Sequence, residues 1–117
     1  MKHRIYKKKI SRKTNHRISL LRNLSKSLIN CKRIKTTLAK AKELKKFIEK
    51  LITRAKKNSL HNRRIVISNL ASNSKEISLL FQKISPKYCE RHGGYVRIIK
   101  TGYRYGDSAP MALIEFI

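Results

Sequence analysis

The chain has 117 residues and carries 30 Lys and Arg against six Asp and Glu, a formal charge of +24. That length supports one compact core, with about two-thirds of the unfolded surface buried, and excludes two independent ones. No run of about 18 apolar residues is present and no apolar signal core follows the charged first residues, so neither a membrane-spanning helix nor secretion is supported.

The charge is uneven. Residues 1–64 hold 23 basic and two acidic side chains, a net of +21, whereas residues 65–117 hold seven and four, a net of +3. Repulsion of this size opposes compaction of the free chain and points to a polyanionic partner: RNA, DNA or anionic lipid. Residues 1–13, "MKHRIYKKKISRK", lack apolar periodicity and read as a basic arm, disordered on its own, ahead of a single domain over residues 14–117.

Thr14 and Asn15 are the candidate N-caps of a first helix in which Ile18, Leu21, Leu24, Leu28 and Ile29 share a face, with Arg17, Arg22 and Lys26 largely on the other side. The pattern stops near Cys31, and "RIKTT" has the β-favouring composition of a short strand before Thr37 caps the next helix. The second helix is the clearest element: Leu38, Ala41, Leu44, Ile48, Leu51, Ile52 and Ala55 follow three- and four-residue spacing until about Lys57. Asn62 is the candidate cap of a short third helix carrying Ile65, Val66, Leu70 and Ala71. Asn73 and Glu76 then have capping-box spacing ahead of Ile77, Leu80, Phe81 and Ile84, and Pro86 is expected to end that helix. After Gly93 and Gly94, "YVRIIKTGYRY" and "MALIEFI" read as two strands joined by the turn material "YGDSAP". Helices followed by a hairpin give an α+β domain: about four helices on a small sheet containing a C-terminal β-hairpin.

The glycines, His92, Asp107 and Ser108 of the last segment have the ingredients of a catalytic loop, but not the pattern. Gly93, Gly94, Gly102 and Gly106 fit neither phosphate-binding glycine motif, and they follow a helix and open a strand, the reverse of that context. Strand-flanking glycines of this kind serve positive φ angles and bulges. No nucleophile elbow surrounds Ser108, and an Asp-Ser pair in a turn ordinarily bonds its own backbone. Cys89 and His92 make a single C-x-x-H, short of the four ligands of a structural zinc site. Cys31 and Cys89 form no C-x-x-C and read as reduced thiols of an intracellular protein, with one disulfide left open. No catalytic residue, cofactor or metal is expected.

The basic constellation carries more. Lys2, His3, Arg4, Lys7, Lys8, Lys9, Arg12 and Lys13 in the arm are followed by Asn15, His16, Arg17, Arg22 and Asn23, then by Lys32, Arg33 and Lys35. A merely solvated helix face mixes both signs, and this one-sided set instead combines planar Arg forks, mobile Lys charges and Asn and His hydrogen-bonding groups, as nucleic-acid contacts do. Membrane-surface binding is the chief competitor, because basic amphipathic helices serve both, but these apolar faces lack Trp and are needed for the core. A DNA-compacting or transcription-related module is the rival from another class, and an enzyme a distant third.

"MKHR" at the start, "NHRISLLRNL", "IKTTLAKAKELKK", "NRR" from Asn62 and "GGYVRIIKTGYRYGDSAPMALIEF" together resemble the bacterial-type large-subunit ribosomal protein seventeen family, in that family's order and over nearly the whole chain. The front half has the acid-poor composition of a transit peptide, but on this likeness Met1 to Arg4 matches the mature start and leaves no room for a cleavable leader. The resemblance implies a non-catalytic structural constituent of the cytoplasmic ribosome, near the outside of the nascent-chain exit tunnel. Its implied partners are large-subunit rRNA and neighbouring large-subunit ribosomal proteins, with no membrane and no small-molecule substrate. By matched motif, RNA contacts carry over to His3, Arg4, Asn15, His16, Arg17, Arg22 and Asn23, and to Lys35, Thr36 and Thr37. Lys40, Arg63, Arg64, Arg91, Arg97 and Arg104 complete the expected RNA-binding set. Lys7-Lys8-Lys9 and Cys31-Lys32-Arg33 are more basic than the family pattern.

Overall fold

The computed structural model describes Ile10, residues 12–71 and residues 75–117. Most of the basic arm, including Lys2, His3, Arg4, Lys7, Lys8 and Lys9, lies outside the described residues, as does the Asn73 half of the expected capping box.

Helix α1 runs Thr14–Cys31, strand β1 Arg33–Thr37 and helix α2 Leu38–Ala55. The strand expected from "RIKTT" is therefore present, and α2 ends two residues before the expected Lys57. The first cap differs from expectation: Lys13 is the N-cap, without a side-chain bond, and Thr14 and Asn15 lie inside the first turn. Thr37 occupies the N-cap of α2 as expected, although its side chain makes no cap bond. At the other end of α1, Lys32 adopts φ +68° and its N–H reaches the Leu28 carbonyl at 2.8 Å, which turns the chain out of the helix and into β1.

Helix α3 spans Leu60–Leu70. Ser59, not Asn62, caps it: the Ser59 hydroxyl accepts the Asn62 N–H at 3.2 Å, and the Asn62 amide donates back to the Lys57 carbonyl at 3.0 Å. The fourth helical segment has three parts, α4 at Lys75–Leu79, a π-helical stretch at Leu80–Ile84 and the short α5 at Ser85–Lys87. Pro86 thus sits inside the helical segment instead of ending it. The Ser85 N–H reaches the Leu80 carbonyl across the wider π register, so Pro86 enters just after the turn has opened. Glu76 accepts from the Asn30 amide at 3.1 Å, tying this segment to α1.

Strands β2, Val96–Tyr103, and β3, Pro110–Phe116, form the C-terminal hairpin. β3 lies in the middle of an antiparallel sheet of order β1-β3-β2, with Ile34 opposite Ile114 and Ile98 opposite Ile114 on the other side. The register slips between Lys100 and Gly102, and Gly102 takes φ +113° at the bulge, a backbone region closed to most side chains.

The core lies between α2 and the inner face of the sheet and extends under α1 and α3. Ala41, Leu44, Ile48, Leu51, Ile52 and Ala55 bury one whole face of α2 against Leu28, Val66, Leu70, Leu80, Ala112 and Ile114. Tyr88 and Tyr95 close one end of this core, their ring centroids 5.3 Å apart, with the Tyr88 hydroxyl donating to the Ile117 carbonyl at 2.7 Å. The α+β class, the four helical segments and the hairpin are those expected from sequence.

Candidate nucleic-acid interface

Six acids cannot neutralise 30 bases, so the question for each cation is whether the fold has already engaged it. The described residues contain three ion pairs, Lys46 with Glu43 at 3.0 Å, Arg97 with Glu115 at 2.6 Å and Arg104 with Asp107 at 2.6 Å. Two of the three lie on the hairpin.

The amphipathic pattern of α1 buries Leu28 and Ile29 and turns Lys13, Asn15, His16 and Asn23 outward; Arg17 is half-buried. None of these five side chains has a hydrogen-bond or ion-pair partner among the described residues, so their donors are free to take phosphate oxygens. Strand alternation then places Arg33 and Lys35 on the same side of β1, both exposed, with Lys32 at the preceding corner. Thr36, Thr37 and Lys40 follow at the β1–α2 junction and are half-buried. Arm end, outer face of α1, and the β1 corner thus form a set drawn from one continuous stretch of chain. Arg64 on α3 and Arg91 after α5 are exposed but stand on other elements.

Other members of the expected set are held by the protein itself. Arg22 donates from Nε to the Asn69 carbonyl at 3.0 Å and from Nη2 to the Ser68 carbonyl at 3.3 Å, so it fastens α1 to the end of α3. Arg12 donates to the Ile10 carbonyl at 3.1 Å. Arg63 donates to Asn58 Oδ1 at 2.6 Å, and its guanidinium lies 4.9 Å from the centre of the Phe81 ring. Arg97 lies across from Glu115 in the β2–β3 register and pairs with it. Arg104 forks onto both Asp107 oxygens, at 3.1 and 2.6 Å. That fork and the Ala109 N–H, 3.2 Å from Asp107 Oδ1, hold the Asp107 carboxyl down to a pKa of about 2. Sequence reading had no way to single out Arg22, whose carbonyl partners are 46 and 47 residues away, whereas Asp107 lies only three residues from Arg104 and was a local signal.

The catalytic reading of the last segment has a structural answer. Asp107 serves the hairpin turn through Arg104 and Ala109 and bonds no histidine among the described residues. His92 instead lines a trough beside α2. Cys31 and Cys89 are free, exposed thiols, and among the described residues no group of three His, Cys, Asp or Glu could hold a metal ion. No helix among the described residues is long and apolar enough to cross a membrane.

Sequence reading passed over Lys46, Lys50, Arg54 and Lys57, which the fold brings into that same trough. Their spacing of four, four and three residues was visible, but on an amphipathic helix it looks like any solvated back.

The family model described as ribosomal protein L17 matches residues 20–117. The large ribosomal subunit protein bL17 of Orientia tsutsugamushi (strain Ikeda) is 52% identical over 117 residues, covering 100% of this chain and 80% of the relative. The bL17 protein of Neorickettsia sennetsu (strain ATCC VR-367 / Miyayama) is 51% identical over 118 aligned residues, 100% of both chains.

Proposed function

The chain belongs to the ribosomal protein L17 family, structural constituents of the large ribosomal subunit and not enzymes, and from that premise we propose that it binds large-subunit rRNA through phosphate and shape contacts. The observation that carries the proposal is the pattern of engagement. Among the described residues, the side chains of Lys13, Arg17, Lys32, Arg33 and Lys35 have no internal partner, whereas Arg12 and Arg22 are held by backbone carbonyls and the hairpin neutralises its own arginines. Lys13, Asn15, His16, Arg17, Asn23, Lys32, Arg33 and Lys35 are the contacts proposed among the described residues, and the arm cations Lys2, Arg4 and Lys7 to Lys9 extend them by sequence. Phosphate and 2′-hydroxyl contacts dominate over base reading, because no Phe, Tyr or Trp is among the contacts proposed on the described residues. A place near the outside of the nascent-chain exit tunnel, beside neighbouring ribosomal proteins, is part of the same proposal and rests on the family likeness.

The test is sedimentation together with salt dependence. The protein is expected in stoichiometric amounts in large subunits, and six or more phosphate contacts give log affinity for isolated rRNA a slope of at least about −4 against log salt. Association with the chromosome instead of the subunit, or rRNA affinity that barely changes between low and moderate salt, would refute it.

A further inference from the structure

The trough beside α2 gathers a second set of cations. Lys46, Lys50 and Arg54 project from the back of α2, opposite the face that buries Leu44, Ile48, Leu51 and Ile52, and Lys57 follows in the turn after the helix. Their backbone positions span roughly 16 Å along the axis at 1.5 Å per residue, with successive positions about 6 Å apart or less. A helix back is ordinarily convex, so its charges splay into solvent. Here the first turn of α3 at Asn62 and the loop around His92 and Gly93 border a trough of about 730 Å³ that is open to solvent.

The walls are fastened. Lys56 Nζ donates to the Arg91 carbonyl and, at 3.1 Å, to the Tyr95 hydroxyl, which itself donates to the Arg91 carbonyl at 3.2 Å. Tyr95 is buried to 1% exposure, so this knot pins the 91–95 loop onto α2. Asn62 in turn is held to the Lys57 carbonyl at 3.0 Å. The trough is therefore preformed, and the side chains of Lys50, Arg54 and Lys57 have no hydrogen-bond or ion-pair partner among the described residues. Glu49 is the one carboxylate among the lining residues.

We propose that this trough binds a stretch of RNA sugar-phosphate backbone, as a phosphate site separate from the arm, α1 and β1, with Lys50, Arg54 and Lys57 as its principal contacts. The array of charges at near-regular spacing along a line suits a chain of phosphates, and the near-absence of carboxylates disfavours a protein surface, which would bring its own cations. That the polyanion is RNA rests on the ribosomal reading above.

The experiment uses the full chain and a transcript of a bacterial large-subunit rRNA, with affinity measured across a salt series. The triple variant Lys50→Gln, Arg54→Gln, Lys57→Gln is expected to lower the log–log salt slope by about 2 to 3, as three phosphate contacts at about 0.7 to 0.9 each require. A control removing the same charge at exposed positions outside the trough, Lys75→Gln, Lys83→Gln, Lys100→Gln, is expected to change the slope by less than half as much. Glu49→Gln is expected to tighten binding. Equal losses in the two triple variants would overturn the proposal, because net charge alone would then account for both. So would a trough variant with unchanged rRNA slope that is nonetheless shed from large subunits, the signature of a protein partner. If the unaltered protein itself fails to bind the transcript, the ribosomal reading fails, a result distinct from either of these.

Discussion

Replacing Arg22 by Ala separates a structural arginine from an RNA-binding one. Its guanidinium bridges two carbonyls near the end of α3, Asn69 at 3.0 Å and Ser68 at 3.3 Å, while the neighbouring Arg17 makes no side-chain bond among the described residues. Hydrogen bonds from a charged donor are worth about 1.5–3 kcal/mol each when well shielded; for a half-exposed pair we take about 1–2 kcal/mol together. Removing a cation from a chain of charge +24 also relieves some repulsion, which offsets part of that loss. Arg17→Ala gains the same relief without breaking a contact, so the difference between the two variants isolates the tie between α1 and α3. In urea unfolding followed by circular dichroism, Arg22→Ala is expected to lower the midpoint relative to Arg17→Ala with an unchanged m-value. Arg22→Lys should recover only part of the loss, because one ammonium lacks the fork that spans both carbonyls. Affinity for rRNA should move the other way, falling more in Arg17→Ala. An Arg22→Ala protein as stable as Arg17→Ala, yet equally impaired in RNA binding, would refute the assignment.

Two further outcomes follow from the fold. Ile48 is fully buried where α2 meets both the sheet and the other helices, so Ile48→Ala is expected to cost about 2–5 kcal/mol in the same urea assay; a loss below about 1 kcal/mol would place the core elsewhere. The hairpin turn should depend on acidity in one direction only. Asp107 has its pKa lowered from 3.8 to about 2 in the fold, so its contribution is complete above about 4 and disappears as pH falls through about 2. Amide signals of Arg104 to Ala109 are expected to stay native at pH 5 and to shift between pH 4 and 2, and an Asp107→Asn variant should lose that transition.

What the sequence made legible follows the range of the forces involved. The apolar spacing of α2 is a local signal with a large energetic consequence, and it located the core face from Ala41 to Ala55. "RIKTT" was legible as β1 for a similar reason: β-branched residues follow the point where the periodicity of α1 stops. The caps were less legible, because "NSLHN" offers three polar candidates and only the geometry of the turn selects Ser59 over Asn62. The π stretch before Pro86 has no local signature, since it depends on how Leu80 and Phe81 seat in the core while the chain accommodates a proline.

The allotment of charge is the least local property and the one that matters most for function. In sequence, Arg22, Arg97 and Arg104 look equivalent to Arg17, Arg33 and Arg64. In the fold, the first three are held by carbonyls or carboxylates and the second three are not. Two of the six acids, Asp107 and Glu115, lie on the hairpin and two more, Glu43 and Glu49, on α2, which leaves α1 and β1 with no acid of their own. The hairpin can therefore hold its shape irrespective of the partner. On the proposed RNA contacts the front half gains most of its counter-charge on assembly, so the loss of repulsion there would stabilise the bound form over the free one.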